Sequence, residues 1–167
     1  EDLEGRRYMD FHGNSVHHLG YGHPKVIAAI KDQLDTLPFA PRRFTNEPAV
    51  ALAEKLGRIA PGDLSKVLFT TGGSDANEVA LKIARAATGR SKALSCWGAF
   101  RGAGFGAASV GSEETFRSHI AGPLLPGAEH VAPFHCYHCA YGHPGPEACG
   151  LACAKMVDYV LAREGDV

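Results

Sequence analysis

Between an apolar run and a helical pattern the chain reads Thr70-Thr-Gly-Gly-Ser-Asp-Ala-Asn-Glu78. Two glycines and a serine at such a junction can hold an anion. The first N–H groups of a helix lack intrahelical acceptors, a hydroxyl adds a donor, and the helix dipole puts positive potential on the same spot. Gly72-Gly73 is expected to turn the chain with positive φ, which costs glycine nothing, and Ser74 to cap the helix that follows. What is missing narrows the anion. Ser74 precedes Asp75, so the Gly-Lys-Ser/Thr ending of a nucleoside-triphosphate loop is absent, and two adjacent glycines do not make a three-glycine dinucleotide pattern. A phosphate monoester on a small cofactor fits. An ordinary strand-to-helix turn without ligand fits as well, since Asp75 and Glu78 compete for the positive helix end.

Other residues have the types for different chemistry. Cys136, Cys139, Cys149 and Cys153 form Cys-x2-Cys-x9-Cys-x3-Cys, with His135, His138 and His143 nearby. Two close thiolate pairs can close a tetrahedron around zinc, which makes a zinc-binding interaction module the alternative function. The second pair is spaced like a helix turn, however, so a loop with buried thiols is the expectation and no metal is assigned. His12, His17, His18 and His23 sit among Gly13, Gly20 and Gly22, which argue against the helix that an i, i+4 ligand pair needs. Arg42-Arg43, between Phe39 and Phe44, could fork a phosphonate or carboxylate, or stay solvated or hold an inter-chain contact. Gly102-x-Gly104-x-x-Ala107 imitates a dinucleotide fingerprint, yet no acidic residue lies about 20 positions on within another strand.

The elements that position these residues follow from periodicity and caps. Val67–Thr71 is too short for a helix and is expected as a buried strand. Ala76, Val79, Ala80, Ile83 and Ala87 recur at helical spacing up to Gly89. Lys92–Trp97 is expected as a second strand, parallel to the first through a right-handed crossover. Upstream, residues 1–11 are expected as a β-hairpin. A helix is expected to start at Pro24 and stop at Pro38, and another from an Asn46 cap to Pro61-Gly62. Residues 112–134 read as irregular, and a last helix carries Cys153, Val157, Val160 and Leu161 on one face.

Composition bounds the function. With 45% apolar and 21% charged residues in 167, the chain has the make-up of a soluble globular protein. A net charge of -1 gives no reason to expect nucleic acid or an acidic membrane as partner. No apolar run nears the roughly 18 residues of a spanning helix, and no signal peptide opens the chain. Free thiols in a cytoplasmic location are therefore expected. The first residue is Glu and the last Val, so both ends read as cut.

Phe69-x-Thr-Gly-Gly-Ser-Asp-Ala-Asn-Glu-x-Ala-x-Lys-x-Ala-Arg85 resembles the phosphate-cup segment of the class III aminotransferases, fold type I enzymes that use pyridoxal 5'-phosphate. The resemblance implies an α/β fold, incomplete here: residues 1–45 as N-terminal hairpin, substrate-side loop and helix, and 46–167 as the first part of the large cofactor-binding domain. It implies that Gly73 and Ser74 hold the cofactor phosphate, that Phe100 stacks on the cofactor ring, and that Asn14 and Ser15 contact substrate. Arg101 stands where the family has a histidine, adding an anion-binding group near the reaction centre. Segments such as Phe11-His-Gly-Asn-Ser-Val16, Pro41-Arg-Arg-Phe-Thr-Asn-Glu-Pro48 and Cys136-Tyr-His-Cys139 look most like the aminophosphonate ammonia-lyase branch. That implies aminotransferase or ammonia-lyase chemistry on a small amino compound, in a homodimer when intact. None of Lys25, Lys31, Lys55, Lys66, Lys82, Lys92 and Lys155 sits in the motif of the Schiff-base lysine, so no catalytic residue is assigned. A non-catalytic relic of the same fold is the remaining alternative.

Overall fold

Proline and asparagine set the starts of the first two helices. In the computed structural model, which describes residues 1–13, 18–118 and 122–167, α1 spans Pro24–Thr36 and α2 spans Glu47–Ile59. Pro24 loses nothing at the first helical position, where its absent N–H would have had no acceptor. Asn46 caps α2 through its side-chain oxygen, which accepts the Ala49 N–H at 3.0 Å. Both helices stop one residue before a proline. Leu37 and Ala60 are extended, as the ring of Pro38 or Pro61 requires of the residue before it.

These helices belong to the first of two units, Glu1–Val67 and Leu68–Val167. Neither α1 nor α2 buries a residue within the described chain. The apolar stripe of α1 is open, with Ile30 and Leu34 each 56% exposed. The expected N-terminal hairpin is not formed. A turn is there, closed by Asp2 N–H to Arg6 O and Gly5 N–H to Asp2 O, and the Asp2 carboxylate also accepts from the Tyr8 hydroxyl. Among the described residues no strand lies alongside Arg6–Phe11.

In the second unit, α3 spans Gly73–Thr88 and ends as expected on Gly89, whose φ of 71° suits a residue without Cβ. The expected strand over 67–71 is absent, since no strand among the described residues lies alongside it. β1, Ala93–Cys96, instead runs parallel to β2, Ala128–Val131, with Ala93 opposite Ala128 and Cys96 opposite Val131. β2 falls within the stretch expected to be irregular. Four residues, two of them charged or polar, leave too little alternation to be seen.

The connection from β1 to β2 carries the best-buried residues of the unit. It contains α4, Phe105–Val110, where Ala107 and Ala108 are at most 5% exposed, and a 3-10 turn over Glu114–Phe116. α4 is built from small residues, so it packs closely but shows no apolar period. Its last carbonyls are held by Arg117, whose Nη1 donates to the oxygens of Ala108, Ser109 and Gly111 at 3.0, 2.9 and 2.6 Å. Ser112 then accepts the Ala99 N–H at 2.9 Å and donates to Cys96 O at 2.7 Å, returning the chain to the end of β1. α5, Ala152–Glu164, closes the described chain, with Lys92 paired to Glu164 and Ser91 to Asp166. Among the described residues no helix is long and apolar enough to cross a membrane.

The cap of α2 gives a direct test. Asn46→Ala should lower unfolding stability by about 0.5–2 kcal/mol, while Asn46→Asp should change it little. Urea unfolding of the three proteins measures both.

Candidate functional site

The anion-site segment differs from its expected geometry in two ways. Gly72 is fully extended (φ 176°, ψ −179°), a conformation open to any residue, so the turn does not use positive φ. The helix begins at Gly73, which puts Ser74 inside the first turn and leaves Gly72 as the cap residue. The first intrahelical bond runs from Ala76 N–H to Gly72 O, so the N–H groups of Gly73, Ser74 and Asp75 precede it in the turn.

With capping left to the backbone, the Ser74 hydroxyl turns to a neighbouring loop. It accepts the N–H of Ala103 at 3.0 Å and of Gly104 at 3.4 Å. Asn77 donates to Gly73 O at 2.8 Å and to Arg101 O at 2.6 Å. Glu78 accepts the Ala107 N–H at 3.0 Å. Positions 74, 77 and 78 share one helix face. The loop glycines fit against that face. A Cβ on Gly102 would lie 2.7 Å from Ser74 N and 2.8 Å from Ser74 Cα, and one on Gly106 would lie 2.4–2.7 Å from the Glu78 carboxylate. Of the glycines that imitate a nucleotide fingerprint, Gly102 thus has a packing cause, whereas a Cβ at Gly104 would meet only ordinary contacts at 3.5 Å and beyond.

This clamp brings four expected site residues together. Arg101 O lies 3.8 Å from where a Gly73 Cβ would stand, and Asn77 joins both backbones. Phe100 precedes Arg101, 54% exposed, and its ring meets Phe116 with centroids 4.8 Å apart, tilted by 44°. Gly73, Ser74 and the Arg101 backbone therefore meet at the start of α3, and Phe100 adjoins them as the residue before Arg101. Glu78, expected to compete for an anion, is engaged with the loop instead. Asp75 accepts from the Thr71 hydroxyl and stays near the helix start. Sequence reasoning missed Asn77 and Glu78 as loop anchors; their i+3 and i+4 spacing from Ser74 was the available signal.

The remaining candidates divide. Asn14 and Ser15 lie outside the described residues. Just before them, Asp10 accepts from the Tyr21 hydroxyl and from the N–H groups of His12 and Gly13. Those bonds, Tyr21 first, hold its carboxyl down at about 2. Cys136, Cys139, Cys149 and Cys153 line one small cavity of about 20 Å³ with His135 and Tyr141. All five cysteines are free thiols, and among the described residues no three ligating side chains are grouped to hold a metal. That arrangement gives the zinc-module alternative no support.

Residues 1–160 match the family described as Aminotransferase class-III. The chain is 44% identical over its whole length to (R)-1-hydroxy-2-aminoethylphosphonate ammonia-lyase of Vibrio splendidus, covering 37% of that protein. It is 37% identical to isoleucine 2-epimerase of Lentilactobacillus buchneri, over 78% of this chain and 30% of the relative. Among solved structures, an amine transaminase from an uncultivated Pseudomonas species, with pyridoxal phosphate bound, superposes with a TM-score of 0.87 at 30% identity. That match covers 98% of this chain and 39% of the other. The fold is that of the fold type I transferases, and the chain spans 30–39% of the length of these relatives.

The clamp predicts opposite outcomes for two glycines. Gly102→Ala meets both a positive φ of 115° and backbone atoms of Ser74, and should cost about 1–3 kcal/mol or more. Gly72→Ala, with nothing within 4 Å of the new Cβ, should stay within about 0.5 kcal/mol of wild type. Denaturant unfolding distinguishes them.

Proposed function

Since the chain belongs to the class III aminotransferase family, we propose that it supplies the phosphate-binding end of a pyridoxal-phosphate-dependent enzyme acting on a small amino compound. The observation that carries this reading is the patch at the start of α3, where Asn77 joins the Gly73 and Arg101 backbones beside Ser74 and Phe100 adjoins them. The residues present fit the cofactor. A phosphate would meet the first-turn N–H groups and the one proton that Ser74 retains while accepting from Ala103 and Gly104. Glycine at 102 lets the loop backbone lie directly against Ser74, where a Cβ would clash. The exposed part of the Phe100 ring offers a surface for an aromatic cofactor.

When bound, the cofactor supplies an electron sink for charge developing beside the amino group of the substrate. The protein's part is positioning. Ser74 is oriented before any ligand arrives, because the loop N–H groups occupy its acceptor side, so its donor proton is turned away from them. Phe100 fixes the plane against which a ring rests. Arg101, with its carbonyl tied to Asn77, brings a permanent positive charge to the same patch. No lysine of this chain is assigned to covalent attachment; Lys82 lies on α3, and Lys92 is paired with Glu164.

The substrate class we infer is a hydroxy-aminoethylphosphonate-like amine, with release of ammonia. The whole-chain match to the Vibrio ammonia-lyase and the arginine at position 101 support it. Asn14 and Ser15 are proposed on the substrate side, and a homodimer is proposed for the intact protein. The open apolar stripes of α1 and α2 support that partner. Free thiols support a cytoplasmic site of action.

The test is to incubate the intact protein with pyridoxal phosphate and (R)-1-hydroxy-2-aminoethylphosphonate and to assay ammonia without any keto acid. Cofactor-dependent ammonia release is expected. Turnover only with an added keto acid would replace the lyase reading by transamination, and a protein that takes up no pyridoxal phosphate would sink both. Ser74→Ala should weaken cofactor binding by about 1–3 kcal/mol, as the loss of a hydrogen bond to a charged group. Fluorescence titration measures it.

A further inference from the structure

Phe100 is held from both sides by contacts that lead back to α3. On one side Asn77 bonds the Arg101 carbonyl. On the other, the Ala99 N–H is bonded to Ser112, which follows directly on α4 and its C-cap, Gly111. The beginning of α4 is in turn held by Glu78, whose Oε1 accepts the Ala107 N–H at 3.0 Å. The same carboxylate lies against Gly106, which is buried and has no room for a Cβ on that side. A carboxylate bond to a backbone N–H is shorter and stronger than a neutral one, and here the acceptor is half-buried.

We propose that Glu78 is a positioning residue: through Ala107 and α4 it sets where the Phe100 ring stands relative to the start of α3. Its carboxylate bonds the loop at Ala107 and, on the proposed reading, does not reach the cofactor. Its effect on the cofactor rests on that reading, whereas its hold on the loop does not. Gly106 belongs to the same device. Any side chain there would push the carboxylate off Ala107 while leaving its charge in the protein.

Three variants of the intact protein test this: Glu78→Ala, Glu78→Gln, which keeps an acceptor oxygen, and Gly106→Ala, which displaces the carboxylate. In the first measurement, amide hydrogen exchange at Ala107 is followed without added cofactor. Exchange should rise in Glu78→Ala and Gly106→Ala and stay near wild type in Glu78→Gln. In the second, pyridoxal phosphate is titrated and the circular dichroism of the bound cofactor, which reports ring orientation, is recorded. Affinity should fall roughly tenfold in the first two variants, the scale of one net hydrogen bond, with a changed dichroic band, and Glu78→Gln should restore both. The double variant Glu78→Ala/Gly106→Ala should be little worse than either single one, because both remove the same contact. If Glu78→Ala does not fold, Gly106→Ala carries the test alone. Unchanged exchange at Ala107 overturns the proposal, as does raised exchange with wild-type affinity and dichroism. A wild-type protein that binds no pyridoxal phosphate overturns the proposed function, and exchange then still decides whether Glu78 holds the loop.

Discussion

A glycine-rich loop has backbone donors and carbonyls that it cannot satisfy by itself, and in this protein one helix face satisfies them. Ser74 takes the N–H groups of Ala103 and Gly104, Glu78 takes that of Ala107, and the Asn77 amide donates to the Arg101 carbonyl. Ala107 is fully buried, and leaving its N–H unpaired would cost on the order of 1–3 kcal/mol; the exposed bonds at Ala103 and Arg101 contribute less and serve to fix the loop's position. The glycines are the other half of the fit. Gly102 and Gly106 let the loop approach side chains that a Cβ would displace.

The rest of the second unit is arranged around the product of that clamp, the short helix α4. It is buried because its residues are small: Gly106, Ala107, Ala108 and Ser109 bring its backbone close to the neighbouring elements. Close approach makes its ends matter more than its length. Glu78 receives an N–H at the first turn, and Arg117 donates to three carbonyl oxygens at the last. The guanidinium also lies 5.3 Å from the centroid of the Trp97 ring, so the same cation caps the helix and covers the end of β1. The same rigidity reaches Phe100 and Arg101, whose flanks are fixed by Asn77 of α3 at the Arg101 carbonyl and by Ser112 at the Ala99 N–H.

The first unit is built on the opposite principle. Its helices are determined locally, by Pro24, Asn46 and the prolines at 38 and 61, and bury nothing within the described chain. Apolar stripes this open carry free energy that contact with further protein would release. The chain spans 37% of the length of its Vibrio relative, so such contacts are expected of the intact protein.

What the sequence by itself determined is what neighbouring residues decide. Pro24 and Asn46 started α1 and α2, prolines stopped them, and Gly89 ended α3 where the pattern placed it. β1 and α5 were legible from their apolar pattern, and the motif around Ser74 was legible as a family likeness. Tertiary structure alone decided the partner of β1, because β2 is four residues long and gains its identity from pairing. It also decided that α4 is a helix, since a six-residue stretch with four small residues at its centre carries no period and is held by Glu78 and Arg117 from outside. The role of Ser74 changed for the same reason. A serine before a helix is a cap by local rules, but a loop brought alongside by distant packing offered its hydroxyl two N–H groups, and those contacts prevailed.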